Sequence, residues 1–229
     1  MKKKPIAIFD IDGTIFRSSL TIELLELMNE RGLVGSSAMK KIWQSQKRWQ
    51  NREQLDSYGE YIEIVWQAYQ KSLASKSRAK IVALARKVLA EQKARTYVYT
   101  RDLYEKLRRT HTLIAISGSP VEIVQEYNKF LKFDYVFGTV FTIDEKGRYT
   151  GTVLAEPNKN KKQFISDFLM QYGYSLKNSY GVGDTESDAK FLSIVENPIA
   201  FNPTKKFYGI ARRKKWKVVV ERKNVVYEL

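Results

Sequence analysis

Ile6-Ala7-Ile8-Phe9-Asp10-Ile11-Asp12-Gly13-Thr14 begins with four apolar residues. Two aspartates two residues apart, Asp10 and Asp12, follow them before Gly13 and Thr14. The β-branched and aromatic residues of this stretch, bounded by Pro5 and Gly13, predict a short buried strand with Asp10 and Asp12 at its carboxyl end. That end is where open α/β sheets bind their ligands. Because residues two apart on a strand point the same way, the two carboxylates meet in one small volume and require a counter-ion.

Two hard oxygen ligands at a strand end suit Mg²⁺, which takes one or two carboxylates and keeps its other positions for water and phosphate oxygens. The chemistry that this arrangement predicts is phosphoryl transfer. One Asp attacks phosphorus to give an aspartyl-phosphate, while the second protonates the leaving oxygen and later activates water. The alternative is a structural strand-to-turn Asx cap, since Asp-Gly is common turn chemistry.

The composition restricts the other kinds of chemistry. The 229 residues are 43% hydrophobic and 28% charged, which suffices for one sizeable domain or a core with an inserted module. The absence of Cys excludes thiol nucleophiles and thiolate metal sites, and the single His111 disfavours histidine catalysis. No stretch approaches the roughly 18 apolar residues of a membrane span, so we expect a cytoplasmic protein that does not act on membranes.

The net charge of +15 is concentrated near the C-terminus. Nine Lys and Arg residues, against Glu221 alone, fall between Lys205 and Lys223. Such a segment is typical of proteins that bind nucleic acid, although Arg212-Arg213-Lys214-Lys215 is better explained as a solvated helix end. Nucleic acid is therefore kept as an alternative partner and is not favoured.

A long helical pattern follows the first strand and extends to about Lys93. Breaks between its helices are predicted at Gly32, Gly35, residues 44–54 and residues 72–77. The pattern predicts a helical bundle inserted at residues 16–98 into a core of residues 1–15 and 99–229. Three of the four tryptophans lie in this bundle, and we attribute them to helix packing rather than to a pocket; they are Trp43, Trp49 and Trp66.

A second strand, residues 112–116, leads into Ser117-Gly118-Ser119-Pro120. Ser119 and Glu122 have the spacing of a capping box, with Pro at the first helical position, which predicts a helix N-terminus just past the strand. Free N–H groups at such a terminus bind anions, and the hydroxyl of Ser117 lies beside them. A strand-to-helix turn needs similar residues without any ligand, so both explanations stay open at this point.

The C-terminal half continues the alternation of strands and helices. Its predicted strands are Tyr135–Val140, which leads into a hairpin over residues 141–150, then Ile199–Phe201 and Trp216–Val220. A later segment has the same pattern as residues 6–14, a strand followed by a glycine bend and acidic residues: Tyr180-Gly181-Val182-Gly183-Asp184-Thr185-Glu186-Ser187-Asp188. The predicted fold class is α/β, a doubly wound and mostly parallel sheet whose strand ends gather acids, a hydroxyl and a lysine.

These motifs resemble the haloacid dehalogenase superfamily over nearly the whole chain, specifically subfamily IB, whose members are similar to phosphoserine phosphatase and carry a helical cap after the first motif. The resemblance implies that Asp10 is the nucleophile and Asp12 the general acid/base. It also implies that Mg²⁺ is held by the Asp10 carboxylate, the Asp12 carbonyl and Asp184, with Asp188 as a further ligand or a carboxylate close to the ion.

The same resemblance implies phosphate-binding positions at Thr14, Ser117 and Gly118. Lys161 lies 23 residues before Asp184 and is the expected phosphate-facing lysine, with Lys159 and Lys162 as nearby alternatives. Ser187 stands where related sequences often carry Asn.

A second departure concerns the substrate. Ser19 stands where phosphoserine-specific members carry a Glu that meets the substrate ammonium, and Glu23, one helical turn on, restores that charge only if its helix presents it to the pocket. We therefore expect that phosphoserine is not the best substrate and that an ester without an α-amino group is hydrolysed at least as well.

The function expected from the sequence is that of a Mg²⁺-dependent phosphoric monoester hydrolase acting on a small phosphorylated metabolite. One alternative is a nucleic-acid-binding protein or polynucleotide end phosphatase that uses the basic segment. Another is a binding or scaffold protein with a decayed site, which the presence of every expected acid disfavours.

Overall fold

The strand that carries Asp10 lies inside a mostly parallel sheet. The computed structural model describes residues 3–54, 56–223 and 225–229. Its strands are β1 Ile6–Phe9, β2 Thr112–Pro120, β3 Tyr135–Ile143, β4 Tyr149–Ala155, β5 Tyr180–Gly183, β6 Asn197–Phe201, β7 Lys217–Arg222 and β8 Val225–Glu228. Its helices are α1 Leu20–Glu30, α2 Ser36–Gln50, α3 Ser57–Leu73, α4 Arg78–Gln92, α5 Val98–Leu107, α6 Val121–Leu131, α7 Lys161–Tyr172, α8 Ala189–Leu192 and α9 Lys205–Arg213, with a 3₁₀ turn at Pro157–Asn160.

Within the described residues the sheet has the order β4-β3-β2-β1-β5-β6-β7-β8, and only the outer pairs β3–β4 and β7–β8 are antiparallel. β1 is flanked by β2 and β5, with Phe9 opposite Ala115 on one side and Val182 on the other. This arrangement confirms the predicted doubly wound fold. It brings the carboxyl ends of β1, β2 and β5 to one edge, because neighbouring parallel strands end together.

The alternation of side chains along β1 explains why helices cover both faces. Ala7 and Phe9 belong to one apolar cluster and Ile6 and Ile8 to another, and all four are fully buried. A strand whose two faces are both apolar requires a layer of helices on each side. Members of the second cluster come from the helices that follow β4, namely Ile165 of α7, Phe191 of α8 and Phe207 of α9.

The helices α1–α4 lie between β1 and β2 in the chain, and their apolar faces continue the first cluster. Ile81 and Leu84 of α4 are buried in the same cluster as Ile123 and Tyr127 of α6.

The division into a 16–98 cap and a two-part core stays a prediction. Helix α2 continues through residues 44–50, where a break was predicted, because this stretch has no Gly or Pro and places Ser45 on a buried face.

The turn between α3 and α4 is tied to the β3–β4 hairpin. Ser77 and Arg148 form an isolated antiparallel bridge, and the backbone N–H of Ser75 donates to the carbonyl of Tyr149 at 2.9 Å. Arg78 adds an ion pair of 3.1 Å with the buried carboxylate of Glu122. These contacts hold α3 beside the carboxyl edge of the sheet.

None of the helices in the described part of the chain is both long and apolar enough to cross a membrane.

Candidate active site

The carboxyl ends of β1 and β5 bring two acidic segments together. The backbone N–H of Asp10 donates to the carbonyl of Val182 at 2.9 Å, which extends the β1–β5 pairing to the first aspartate. Gly13 has a φ of +75°, and a Cβ there would lie 2.2 Å from Oδ2 of Asp184. A side chain at position 13 would therefore collide with the Asp184 carboxylate, which explains why the bend after the first motif carries glycine.

Lys161, the first residue of α7, joins the two acidic segments. Its Nζ lies 2.6 Å from Oδ1 of Asp10 and 2.6 Å from Oδ1 of Asp188, and the side chain is 1% exposed. Burial lowers the pKa of Lys161, but the Asp10 and Asp188 charges raise it, and the pKa lies above its ordinary value. Lys159 and Lys162 are exposed, so of these three lysines the structure brings Lys161 to the acids.

Asp188 holds the loop that carries Asp184. Its Oδ2 accepts hydrogen bonds from the backbone N–H groups of Asp184 and Thr185, both at 3.0 Å, and from the Thr185 hydroxyl at 3.2 Å. With Oδ1 on Lys161, the fully buried carboxylate of Asp188 is saturated with donors. This charge is therefore satisfied by the protein itself.

Carboxylate oxygens of Asp10, Asp184 and Asp188 lie within 4.8 Å of one another and could hold a metal ion. Burial raises the pKa of Asp184 well above its ordinary value, and the charges of Asp10 and Asp188 add to the effect. Burial likewise raises the pKa of Asp10 to about 8, with Lys161 lowering it and Asp188 and Asp12 raising it. Since Asp188 already has its donors, Asp10 and Asp184 are the two buried carboxylates whose charges a hard divalent cation would stabilise.

The Asp12 carboxylate is not part of this group of three and is held by donors from other elements. Its Oδ1 accepts from the backbone N–H of Leu20, the first residue of α1, at 2.6 Å. Its Oδ2 accepts from the hydroxyls of Ser117 at 2.5 Å and Ser119 at 2.9 Å. Burial raises the pKa of Asp12, and these hydrogen bonds lower it less. The carboxylate thus caps a helix and also lines the cavity described below.

The predicted capping box at Ser119 is wrong. Helix α6 begins at Val121 with Pro120 at its N-cap and no side-chain cap. The Ser119 hydroxyl bonds to Asp12 and Thr21 instead, and Glu122 forms the ion pair with Arg78. Ser119 and Glu122 therefore bind partners distant in sequence instead of capping α6. The role of Ser119 in orienting Asp12 was not predicted from the sequence.

Of the three predicted phosphate-binding positions, Gly118 lines the cavity. Ser117 is fully buried and its hydroxyl is directed to Asp12. Thr14 is also fully buried, its carbonyl accepts from the Thr100 hydroxyl at 2.8 Å, and its own hydroxyl has no partner among the described residues.

A cavity of about 220 Å³ opens above the acids. Its floor includes Asp10, Asp12, Lys161 and Asp184, and Ser19, Thr185 and Ser187 also line it. Helix α3 supplies the opposite wall with Tyr58, Ile62, Glu63, Val65 and Trp66, and Glu156 and Asn158 line it from the segment around the 3₁₀ turn.

The α3 wall was missed by the sequence analysis, although Tyr58, Ile62 and Trp66 are spaced by four residues and share one helix face. Burial and the charges of Asp184, Asp12 and Asp10 raise the pKa of Tyr58, so its hydroxyl stays protonated. Helix packing, as predicted, accounts for Trp49, which stacks on Tyr61, and for Trp66, which stacks on Tyr69. Trp66 also lines the cavity, which the packing prediction missed, and Trp43 is 58% exposed.

Glu23 does not replace the missing acid at Ser19. Its carboxylate pairs with Arg95 at 2.9 Å and does not belong to the cavity wall, whereas Ser19 does.

Sequence and structure comparisons find similar proteins over most of the chain. The family model described as haloacid dehalogenase-like hydrolase matches residues 7–193. A histidinol-phosphatase of Neisseria meningitidis serogroup C (strain 8013) is 22% identical in an alignment 233 positions long that spans 94% of this chain and 98% of the relative. A protein of unknown function from Bordetella pertussis Tohama I superimposes with a TM-score of 0.76 at 19% identity, covering 95% of this chain and 98% of that chain. A substrate-bound phosphoserine phosphatase superimposes with a TM-score of 0.64 at 16% identity, covering 98% and 96%.

Proposed function

Because this chain belongs to the haloacid dehalogenase-like hydrolases, we propose that it is a Mg²⁺-dependent phosphatase that hydrolyses a small phosphate monoester through an aspartyl-phosphate on Asp10. The observation that carries this proposal is the convergence of Asp10, Asp184 and Lys161 on the floor of one cavity, with the buried Asp188 paired to Lys161 behind them. The similarity to a histidinol-phosphatase and a phosphoserine phosphatase supports a phosphate ester as substrate.

The reaction has two steps. A carboxylate oxygen of Asp10 attacks phosphorus, the bond from phosphorus to the ester oxygen breaks, and Asp12 gives its proton to the leaving alcohol. Asp12 then takes a proton from a water molecule that attacks the aspartyl-phosphate, which releases inorganic phosphate and restores Asp10. The raised pKa of Asp12 suits a group that holds a proton before the first step and accepts one in the second.

Mg²⁺ would be held by the carboxylates of Asp10 and Asp184 and the carbonyl of Asp12, with Asp188 beside them. Bound there, it would neutralise charge on the phosphate oxygens. Lys161 would offset the remaining phosphate charge while it holds Asp10 in place, and the N–H of Gly118 would donate to phosphate. Residues 16–98 would act as the lid domain, since α3 forms the wall opposite the acids.

Mg²⁺ binding is expected to strengthen as pH rises from about 6 to about 8, because protons compete for the Asp10 and Asp184 carboxylates. A carboxyl whose pKa is raised on folding stabilises the folded state while it is protonated. The metal-free protein therefore loses stability as pH rises from about 4 towards about 8, and Mg²⁺ restores this stability near pH 8. Melting temperatures across this pH range, with Mg²⁺ and with EDTA, measure the effect. An increase in melting temperature on adding Mg²⁺ that becomes smaller as pH rises would contradict this expectation.

Phosphate release from a panel of small monoesters in the presence of Mg²⁺ tests the activity. The panel contains p-nitrophenyl phosphate as a general reporter, together with histidinol phosphate, phosphoserine, phosphoglycolate, glycerol phosphates, sugar phosphates and nucleotides. Turnover of at least one ester, abolished by EDTA, is expected. Full activity in EDTA, or no turnover of any ester, contradicts the proposal.

The basic segment favours no second function. Arg212, Arg213, Lys214 and Lys215 are all exposed at the end of α9, as expected of a solvated helix end. The helix begins beside Thr204, whose N–H donates to the carbonyl of Asp184, and its nine residues carry the basic end about 13 Å away. Binding to DNA or RNA that disappears between low and physiological salt would show nonspecific charge alone.

A further inference from the structure

The lining of the cavity includes two glutamates that take no part in the cluster of Asp10, Asp184, Asp188 and Lys161. They are Glu63 on α3 and Glu156 before the 3₁₀ turn. Glu156 pairs with Lys159 at 2.9 Å, but the Lys159 side chain is 76% exposed, which weakens that pair. Glu156 raises the pKa of Lys159 through a hydrogen bond and its charge, and Glu63 adds to the effect, so both glutamates lie near the same cation. Two acids against one exposed base leave this part of the site with a negative charge.

Among the described residues that line the cavity, Lys161 is the sole Lys or Arg. Its ammonium is already held between Asp10 and Asp188 at 2.6 Å from each. A carboxylate or second phosphate on the alcohol part of a substrate would therefore meet glutamates, with no Lys or Arg of the cavity lining free to replace its water. The desolvation of such an anion would go uncompensated.

The same wall suits a positively charged nitrogen. Tyr58, Ile62 and Trp66 share one face of α3 and line the cavity together with Glu63, so this glutamate has aromatic and apolar neighbours. An aromatic face attracts a cation, and a carboxylate in the same lining pairs with it. The volume of about 220 Å³ restricts the alcohol to a small one.

We propose that the site selects phosphate esters of small alcohols that carry a cationic nitrogen and no carboxylate, with Glu63 and Glu156 as the residues that determine this specificity. The inference rests on the phosphatase function proposed above. It changes the expectation drawn from Ser19: the amine is favoured, because acids from α3 and from the 3₁₀ segment replace the one missing at position 19. Phosphoserine stays disfavoured because of its carboxylate.

The test compares four esters of similar size: phosphoethanolamine, glycerol 3-phosphate, phosphoglycolate and phosphoserine. For the wild type, kcat/KM for phosphoethanolamine is expected to exceed that for glycerol 3-phosphate by about tenfold, the factor for one charged hydrogen bond over a neutral one. Phosphoglycolate is expected to be the poorest of the four. The preference for the amine should fall as salt rises, because Glu63 is exposed and Glu156 is half-buried.

The double variant Glu63→Gln with Glu156→Gln is expected to lose this preference, mostly through a higher KM for phosphoethanolamine. Expressing the result as a ratio to glycerol 3-phosphate cancels any general loss of activity. Glu60→Gln is the matched control, because Glu60 is a partly exposed glutamate of α3 that pairs with Arg48 and does not line the cavity. It is expected to keep the wild-type ratio.

Each other outcome overturns a defined part of the inference. Equal kcat/KM for the amine and the neutral ester overturns the proposed selectivity and leaves the phosphatase function standing. A preference that survives in the double variant overturns the assignment to Glu63 and Glu156. Failure to hydrolyse any ester, including p-nitrophenyl phosphate, overturns the phosphatase function and this inference with it.

Discussion

Replacement of Asp10 by Asn is expected to reduce turnover at least about a thousandfold, because the amide cannot act as the nucleophile that forms the phosphoryl-enzyme. The fold should survive the change. Asn has nearly the size of Asp, and Lys161 keeps its second partner, Asp188, at 2.6 Å. Since burial already disfavours the Asp10 charge, a neutral side chain at this position should not lower the melting temperature.

Asp102→Asn is the matched control for this variant. Asp102 lies on α5, its side chain is 64% exposed, and it pairs with Arg101. Phosphate release and thermal melting are measured for both proteins under the same conditions. If Asp10→Asn retained activity within about tenfold of the wild type, the assignment of the nucleophile would be wrong.

Lys161→Met is expected to have the second largest effect, since it acts on both activity and stability. Removing the ammonium leaves Asp10 and Asp188 buried without their shared partner, and breaking such a buried pair costs about 3–5 kcal/mol of unfolding free energy. Activity should fall about a hundredfold or more, because the phosphate loses a neutralising charge and Asp10 loses its support.

Denaturant unfolding with and without Mg²⁺ separates these contributions. A divalent cation between the carboxylates should restore part of the stability of Lys161→Met, whereas the exposed Lys162→Met control should resemble the wild type throughout. Unchanged stability and activity in Lys161→Met would show that the lysine is not the charge partner of this site.

The parts of the fold and site that could be predicted from sequence depend on local patterns. An apolar run with two apolar faces predicts a central strand, and the segment around Asp184 repeats this design, so the sheet and the acids at its edge followed from local residues. The glycine at position 13 also has a local signature, since its φ of +75° belongs to a tight bend.

The parts that could not be predicted depend on contacts across the chain. Ser119 bonds to Asp12, 107 residues earlier, instead of capping its own helix. The orientation of α3 toward the cavity is set by its packing and by the backbone bridge between Ser77 and Arg148, which no helical periodicity reveals. The choice of Lys161 among three lysines likewise depends on where α7 begins.

Detection of a phosphoryl group on Asp10 tests the central proposal most directly. The Asp12→Asn variant is mixed with p-nitrophenyl phosphate and Mg²⁺, quenched in acid, digested and analysed by mass spectrometry. Because p-nitrophenolate leaves without a proton, the first step should proceed, while hydrolysis of the intermediate stalls without the general base. The proposed mechanism predicts that the peptide containing Asp10 accumulates one phosphoryl group and that Asp10→Asn shows none. Turnover of the ester with no phosphoryl group on this peptide, or with one on a different residue, would contradict it.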